Sequence, residues 1–144
     1  MLKILHAVAG ALALAVVTSF WLTTVLTETF ASAGLITLVK TSIPWGFLLL
    51  VPLVGLAGFS GFRLARPMRG RLIAAKRRRM PIIAINGVVV LIPAALFLSA
   101  KAQASAFDAS FYAVQAIELI FGAVNITLLA MNMRDGLRMK GRRR

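Results

Sequence analysis

The residue that most clearly suggests a chemical role is Glu118, whose carboxyl lies inside a long apolar segment. A charge at the centre of a bilayer costs at least ~2.5 kcal/mol, so this group is expected to be protonated, paired or turned toward a polar cavity. On a helix it shares one face with other small and polar residues. These residues are Gln115, Gly122, Asn125 and Asn132. The stripe predicts an inward face that is either a seam of interhelical hydrogen bonds or, together with Asn86, the wall of a cavity or proton path.

His6 is the only imidazole in the chain, and it lies one turn inside the first apolar segment. Near neutral pH an imidazole can ligate a metal or transfer a proton, and both roles compete with that of a plain interfacial polar residue. Glu28, at the other end of the same segment, shares a face with Trp21 and Thr24. The hydroxyls around Glu28 are expected to be mostly structural, and Glu28 is a candidate for guarding the opposite entrance.

The composition argues against several classes of chemistry. The absence of cysteine excludes disulfides, thiolate metal sites, iron–sulfur clusters and thioester chemistry. With one histidine and four acidic residues, a multi-ligand zinc or calcium site built by one chain is not expected. A hydrolase is the least favoured enzyme class, since the sequence contains no serine–histidine–acid set and no nucleophile elbow.

Four apolar segments must position these side chains. Apolar residues make up 60% of the 144-residue chain, and the mean hydropathy is +0.88. A spanning helix needs ~20 predominantly apolar residues, and in lipid the backbone must form its hydrogen bonds within the segment. We therefore predict an all-α membrane protein, a single four-helix bundle over residues 1–144. The predicted spans are 4–27, 44–65, 81–100 and 111–131, with a basic loop at 66–80 and a basic tail at 132–144.

The basic residues set the expected orientation. Of the 17 Lys and Arg residues only Lys40 and Lys101 fall on one side of the predicted bundle, which leaves 15 on the other. The positive-inside rule then places both termini and the 66–80 loop in the cytoplasm, in a bacterial inner membrane. The net charge of +13 is expected to meet anionic lipid headgroups and not nucleic acid, because no nucleic-acid motif accompanies it. The alternative is a signal peptide ending near Ala31-Ser32-Ala33, although the apolar stretch exceeds the usual core length.

Glycine and proline mark the second and third segments. Three glycines at steps of three make a bare groove that suits close helix packing or a planar ligand such as a porphyrin or quinone. They are Gly55, Gly58 and Gly61. Pro52 and Pro93 each remove a backbone donor, so a kink is expected at both. Residues 33–42 are expected to form a short helix on the outer surface, before the second span.

Three sequence features carry a resemblance to a known family. They are the opening Leu2-Lys3-Ile4-Leu5-His6, the stretch Gly58-Phe59-Ser60-Gly61 and Lys76. The chain resembles small four-helix bacterial membrane proteins of the haem-dependent protoporphyrinogen oxidase type, and its opening is similar to that of the membrane domain of copper-resistance D type proteins. The resemblance covers the layout of three spans. It implies that His6 ligates haem b and that Lys76 is a second ligand or partner.

Haem b would need a second axial ligand and partners for its propionates. One histidine cannot supply two axial imidazoles, so the second ligand would come from a symmetric dimer, from Lys76 or from a methionine. The methionines considered are Met80, Met131 and Met133. Arg134 and Arg138 would hold the propionates, because guanidinium groups pair with carboxylates in a bidentate fork. Glu118 and Asn125 would line the pocket or pass on protons.

Three functions are compatible with these residues. The first is a haem b redox or electron-transfer protein of the inner membrane. The second is a non-enzymatic subunit or assembly factor of a larger membrane complex, in which the Glu118 stripe is a docking seam. The third is transport of a small solute or proton, which the intramembrane carboxyl supports and the absence of inverted repeats weakens. A four-span chain would have to dimerise to enclose such a path.

Overall fold

The computed structural model describes residues 1–67 and 70–141, with the side chains of the second range described as far as residue 139. The four predicted segments are helical, and the described residues contain no β-strand. The helices are α1 Leu2–Phe30, α2 Ala33–Ala65, α3 Arg71–Gln103 and α4 Ala109–Gly141. All four are long and apolar enough to cross a bilayer, so the predicted all-α, four-helix fold class is confirmed.

Three helices extend well beyond the predicted spans. α2 begins at Ala33, so residues 33–42 are its first turns and not a separate surface helix. α3 begins at Arg71 instead of residue 81, and α4 continues through most of the predicted tail. Arg and Lys are good helix formers, a property that hydropathy does not register. The connection predicted over 66–80 therefore shortens to 66–70; residues 68, 69 and 142–144 lie outside the described part of the chain.

The helices form a four-cornered bundle in which successive helices are antiparallel neighbours. α1 packs on α2 and α4, and α3 packs on the same two helices, so α2 and α4 face each other across a diagonal. Met1, Gly141 and the ends of α2 and α3 that flank the 66–70 connection share one end, called the basic end. The connections 31–32 and 104–108 share the opposite end, called the far end.

Small side chains fill the contacts between helices, and large apolar side chains point outward. Trp45, Leu48 and Phe59 are each at least 60% exposed. Most of the buried apolar residues are alanines, namely Ala9, Ala13, Ala57, Ala94, Ala95 and Ala102. This is the expected pattern in lipid, where close packing of small residues and not hydrophobic burial holds helices together.

α3 widens into a π-helical turn at Asn86–Leu91, just before Pro93. Pro93 has no backbone N–H, and its ring crowds the carbonyl of Val89 four residues earlier. A turn with i to i+5 hydrogen bonds accommodates that crowding, and it turns Asn86 into the bundle, where it is 7% exposed. Pro93 thus follows a local change of helix type, whereas α2 is a continuous α-helix through Pro52; the kinks expected at both prolines stay predictions.

Asp108 fixes the start of α4 at the far end. Its Oδ1 accepts hydrogen bonds from the backbone N–H of Phe111 at 3.0 Å and from the hydroxyl of Ser110 at 2.6 Å. Lys101 Nζ lies 2.5 Å from Asp108 Oδ2. The hydrogen bond from Lys101, followed by those from Ser110 and Phe111, holds the pKa of Asp108 well below its usual range. A carboxylate at this position caps the helix that carries four of the nine buried polar or charged residues in the described part of the chain.

Candidate functional site

A buried ion pair crosses the far-end half of the bundle. Lys40 Nζ on α2 lies 2.7 Å from Glu118 Oε2 on α4, and Lys40 is 1% exposed. Because α2 and α4 are diagonal helices, the lysine side chain crosses the bundle axis to reach the carboxylate. Gln115, one turn earlier on α4, donates from Nε2 to the same carboxylate oxygen at 3.3 Å.

A second carboxyl joins this group from the last turns of α1. Glu28 interacts electrostatically with both Lys40 and Glu118. Its Oε1 is buried with no hydrogen-bond partner among the described residues, and the same is true of Gln115 Oε1. We call Glu28, Lys40, Gln115 and Glu118 the far-end cluster. With both carboxyls ionised, this cluster carries one more negative charge than positive charge.

The position of Glu118 along α4 places the ion pair between the far end and the helix midpoint. Glu118 lies nine residues after Ala109, the first residue of α4, which places it about 14 Å along the helix. The midpoint of α4 is Asn125, because the helix continues past residue 131 to Gly141. Measured along the whole of α4, the carboxylate therefore lies in the far-end half, and the amide of Asn125 occupies the centre.

A cavity of about 60 Å³ lies beside the ion pair and is lined by all four helices. It is therefore on the bundle axis. Its volume corresponds to about two water molecules. Glu118 and Thr24 contribute the polar lining, and aromatic rings form much of the remaining wall. The aromatic residues are Phe20, Trp21 and Phe47, and Leu91 and Gly122 also contribute.

An amide pair occupies the bundle centre between α3 and α4. Asn86 Nδ2 donates to Asn125 Oδ1 at 2.8 Å and to the backbone carbonyl of Phe121 at 2.9 Å. Asn125 Nδ2 donates to the carbonyl of Ile83, just before the π turn, at 3.4 Å. Asn86 Oδ1 is buried and has no partner within the described ranges. The pair thus ties the π turn to α4 and leaves one oxygen acceptor unused.

A second ion pair closes the basic end. Arg79 Nη1 lies 2.6 Å from Asp135 Oδ2 and 3.3 Å from Asn132 Oδ1. Asp135 is 1% exposed, and Asn132 Nδ2 also contacts Met80 Sδ at 3.4 Å. Removing one partner of a buried ion pair leaves an uncompensated charge, at a cost of ~3–5 kcal/mol. Arg79 therefore holds α3 against α4 and is more than a charge that sets orientation.

The inward face predicted for α4 is confirmed. Glu118 turns its carboxylate to the bundle axis, and its side chain is 13% exposed. Asp135 extends the same face by one turn beyond Asn132. The buried members of the predicted stripe are Gln115, Gly122, Asn125 and Asn132.

The imidazole of His6 serves the contact between α1 and α2. Its Nδ1 donates to the carbonyl of Ala57 at 3.0 Å and also lies 3.2 Å from Ser60 Oγ. The ring packs on the bare backbone of Gly61, where a Cβ would stand 2.8 Å from the ring Cε1. A Cβ on Gly58 would meet the terminal methyl of Met80 at 3.6 Å. Side chains from α1 and α3 thus pack on two of the three groove glycines, which supports the interpretation of the groove as a helix-packing surface.

The residues expected to hold haem b lie on three helices, in the basic-end half of the bundle. His6 packs on α2, whereas Lys76 Nζ lies against Gly136 on α4, 3.3 Å from where a Cβ would stand. Of the other candidates, Met131 is half-buried and Arg134 and Arg138 are exposed. The axial cavity, at about 60 Å³, is far below the ~300 Å³ at which ligand pockets begin. Haem b binding stays a prediction, with the second axial ligand open between a symmetric dimer, Lys76 and a methionine.

Lys40 and Arg79 had no predicted role beyond orientation, yet each pairs with a carboxylate inside the bundle. One sequence signal was available for Lys40: it is the single charged residue in 33–62, a stretch long enough to extend the second span. For Asp135 the signal is spacing, because it follows Asn132 by three residues and so shares its helix face.

No family model, curated protein or solved structure matches this chain. Function is therefore inferred from the geometry of the three polar layers along the bundle. These layers are the far-end cluster, the Asn86–Asn125 pair and the Arg79–Asp135 pair.

Proposed function

We propose that this chain is a small integral membrane protein that carries protons or small monovalent cations across a bilayer. One observation carries the proposal: the 2.7 Å Lys40–Glu118 pair lies beside a cavity lined by all four helices, and a second carboxyl, Glu28, interacts electrostatically with both members of the pair. Ionisable groups are costly inside a membrane, and where they occur they mark ion pathways and proton relays.

The charge balance of the far-end cluster favours a cationic guest. After Lys40 pairs with one carboxylate, the other needs a proton or a monovalent cation, because an uncompensated charge is strongly disfavoured in a low-dielectric interior. The three buried side-chain atoms without a partner in the described chain are also all oxygens: Glu28 Oε1, Asn86 Oδ1 and Gln115 Oε1. Such acceptors call for a hydrogen-bond donor, which a hydrated proton or an ammonium ion supplies and an anion does not.

Polar side chains continue from the far-end cluster along α4 to the basic end. Asn125 follows Glu118 by seven residues, and Asp135 follows Asn125 by ten, which correspond to about 10 and 15 Å along the helix axis. The axial cavity occupies part of the first interval. An ion pair lies toward each end of the bundle, so a guest that crosses must pass both pairs. Transport then requires the two pairs to open in turn, as alternating access demands.

We place the protein in a bacterial cytoplasmic membrane, with both termini and the 66–70 connection in the cytoplasm. The pairing of charges supports this orientation. Lys40 is neutralised by Glu118 and Lys101 by Asp108, so neither far-end cation is left without a carboxylate. Arginines at the basic end, by contrast, outnumber the carboxylates there, as the positive-inside rule requires. A tag at the C-terminus should be inaccessible from the periplasm of intact cells, and labelling there would overturn the orientation.

Proton flux into proteoliposomes tests the transport proposal. The purified chain is reconstituted with a pH-sensitive dye inside the vesicles, and a potassium gradient with valinomycin drives the flux. Wild type should exceed protein-free vesicles, and Glu118→Gln should fall to their level because the ionisable half of the axial pair is gone. Lys101→Gln is the matched control, since this far-end lysine pairs with a carboxylate at the bundle surface. It should keep the wild-type flux.

A second variant separates loss of flux from loss of fold. Replacing both Lys40 and Glu118 by Gln exchanges the ion pair for two amides that can still hydrogen-bond, so the bundle should keep its helicity and monodispersity while flux is lost. Wild-type flux no greater than that of empty vesicles, or unaltered flux in Glu118→Gln, would contradict the proposal.

A further inference from the structure

The axial cavity combines an acidic end with aromatic walls. Glu118 contributes the carboxylate, and Phe20, Trp21 and Phe47 line the cavity from α1 and α2. The faces of aromatic rings attract cations, most strongly where water is excluded, and rings grouped around a small space are a common device for binding organic ammonium ions. A bare proton carrier needs a carboxyl and water but no aromatic walls.

We infer that this cavity binds a small primary ammonium ion, of the size of methylammonium. The inference rests on the proposed function, because it names the class of cation that the same axial site takes. The ammonium end would lie toward Glu118, and the alkyl end would meet the aromatic and aliphatic wall.

The size and the donor count of such an ion suit the cavity. At about 60 Å³ the space suits a guest of about two water volumes, which favours a small ammonium ion over a bulky quaternary one. A primary ammonium has three N–H donors, and the neighbouring acceptors exceed what the protein's own donors satisfy. Within the cavity lining the acceptor is the Glu118 carboxylate. Two further acceptors, Glu28 Oε1 and Gln115 Oε1, belong to the far-end cluster outside the lining, and both are buried without a partner among the described residues.

Contacts with α2 and α4 hold two of the aromatic rings in place. Trp21 Nε1 donates to the carbonyl of Leu119 at 2.9 Å, and a Cβ on Gly122 would stand 2.9 Å from Trp21 Cδ1. The tip of the Phe20 ring points at Gly46, where a Cβ would overlap its Cζ atom. Gly46 on α2 and Gly122 on α4, the two helices that pack on α1, thus leave room for these rings. Rings held in one position in this way lose little freedom when a guest binds.

Trp21 provides a direct readout of occupancy. The chain has two tryptophans, and the other, Trp45, is 75% exposed on the outer surface. In a Trp45→Phe background, the emission of Trp21 is followed while methylammonium chloride replaces sodium chloride at constant ionic strength. A saturable change is expected with methylammonium, and none with tetramethylammonium, which has no N–H and is too large. Phe20→Leu and Phe47→Leu should each weaken the apparent affinity several-fold, because each removes one aromatic face.

The outcomes separate this inference from the transport proposal. A linear response indistinguishable from that of sodium, or equal affinity in parent, Phe20→Leu and Phe47→Leu proteins of wild-type helicity, overturns the ammonium site. If such a result accompanies Glu118-dependent proton flux, the chain carries protons alone. Saturable methylammonium binding without flux in proteoliposomes supports the site and removes the transport proposal.

Discussion

Lys40 donates to Glu118 across the diagonal of the bundle, with the ammonium 2.7 Å from the carboxylate oxygen. The helices that carry the two residues, α2 and α4, are not packed against each other, so the side chains alone connect them. The pair has two consequences. It ties together two corners of the bundle, and it places opposite charges on the axis beside the cavity.

The first prediction concerns the stability of this diagonal contact. Lys40→Met should lower the free energy of unfolding by ~3–5 kcal/mol, since it leaves the Glu118 carboxylate without its counter-charge. Adding Glu118→Leu should restore most of the loss, because an apolar pair of similar volume replaces a buried ion pair at little cost. Reversible unfolding in mixed detergent micelles measures both variants.

The Lys101–Asp108 pair is the control for that experiment, because it joins residues at the surface of the far end. Lys101→Met should change stability little, as is usual for exposed pairs. Strictly additive losses from Lys40→Met and Glu118→Leu would show that the two side chains do not interact and would remove the diagonal contact.

The second prediction concerns the glycine groove of α2. Gly61→Ala should destabilise the bundle, because a Cβ would stand 2.8 Å from His6 Cε1 while Nδ1 is held by Ala57. Gly55→Ala should be neutral or stabilising: no atom lies within 4 Å of its Cβ position, and Ala is favoured over Gly in a helix by about 1 kcal/mol. Thermal unfolding of the two variants side by side gives the difference. Equal effects would show that His6 does not rest on Gly61.

Helix number and the inward face of α4 could be predicted, because both depend on hydropathy and on periodicity within one segment. The Lys40–Glu118 contact could not, since it joins residues 78 positions apart on diagonal helices. Its prediction would have required the true start of α2, and apolar runs place that start at residue 44 and not at Ala33. The role of Arg79 was hidden for a similar reason: a cluster of basic residues satisfies the orientation rule as a whole, and only the packed helices show which member faces a carboxylate.

The third prediction concerns pH. The contacts of Asp108 with Lys101, Ser110 and the start of α4 lower its pKa in the folded state. The folded pKa is lower than the unfolded value of ~3.9. The stabilisation is therefore fully present above the unfolded value and is lost as the pH falls from there through the folded pKa. The Asp108→Asn variant should therefore lose less stability than wild type between about pH 5 and about pH 2, a window set by the unfolded value and the lower folded one. Denaturation midpoints across this range measure the difference, and parallel profiles would show that Asp108 does not cap α4.

The fourth prediction uses two arginines that approach the same carboxylate at the basic end. Arg79 lies 2.6 Å from Asp135 with a side chain 17% exposed, whereas Arg134 lies 3.5 Å from it and is 55% exposed. Arg79→Gln should cost about 3 kcal/mol, since it leaves a buried carboxylate with a distant and hydrated partner. Arg134→Gln should cost no more than ~1 kcal/mol, as exposed pairs do. Both variants lose one positive charge from the basic end of the bundle, so a general effect of net charge or of lipid attraction would lower the free energy of unfolding of both by the same amount. Equal losses would therefore show that Asp135 is stabilised by the basic end as a whole, and that the Arg79 contact does not close the axis.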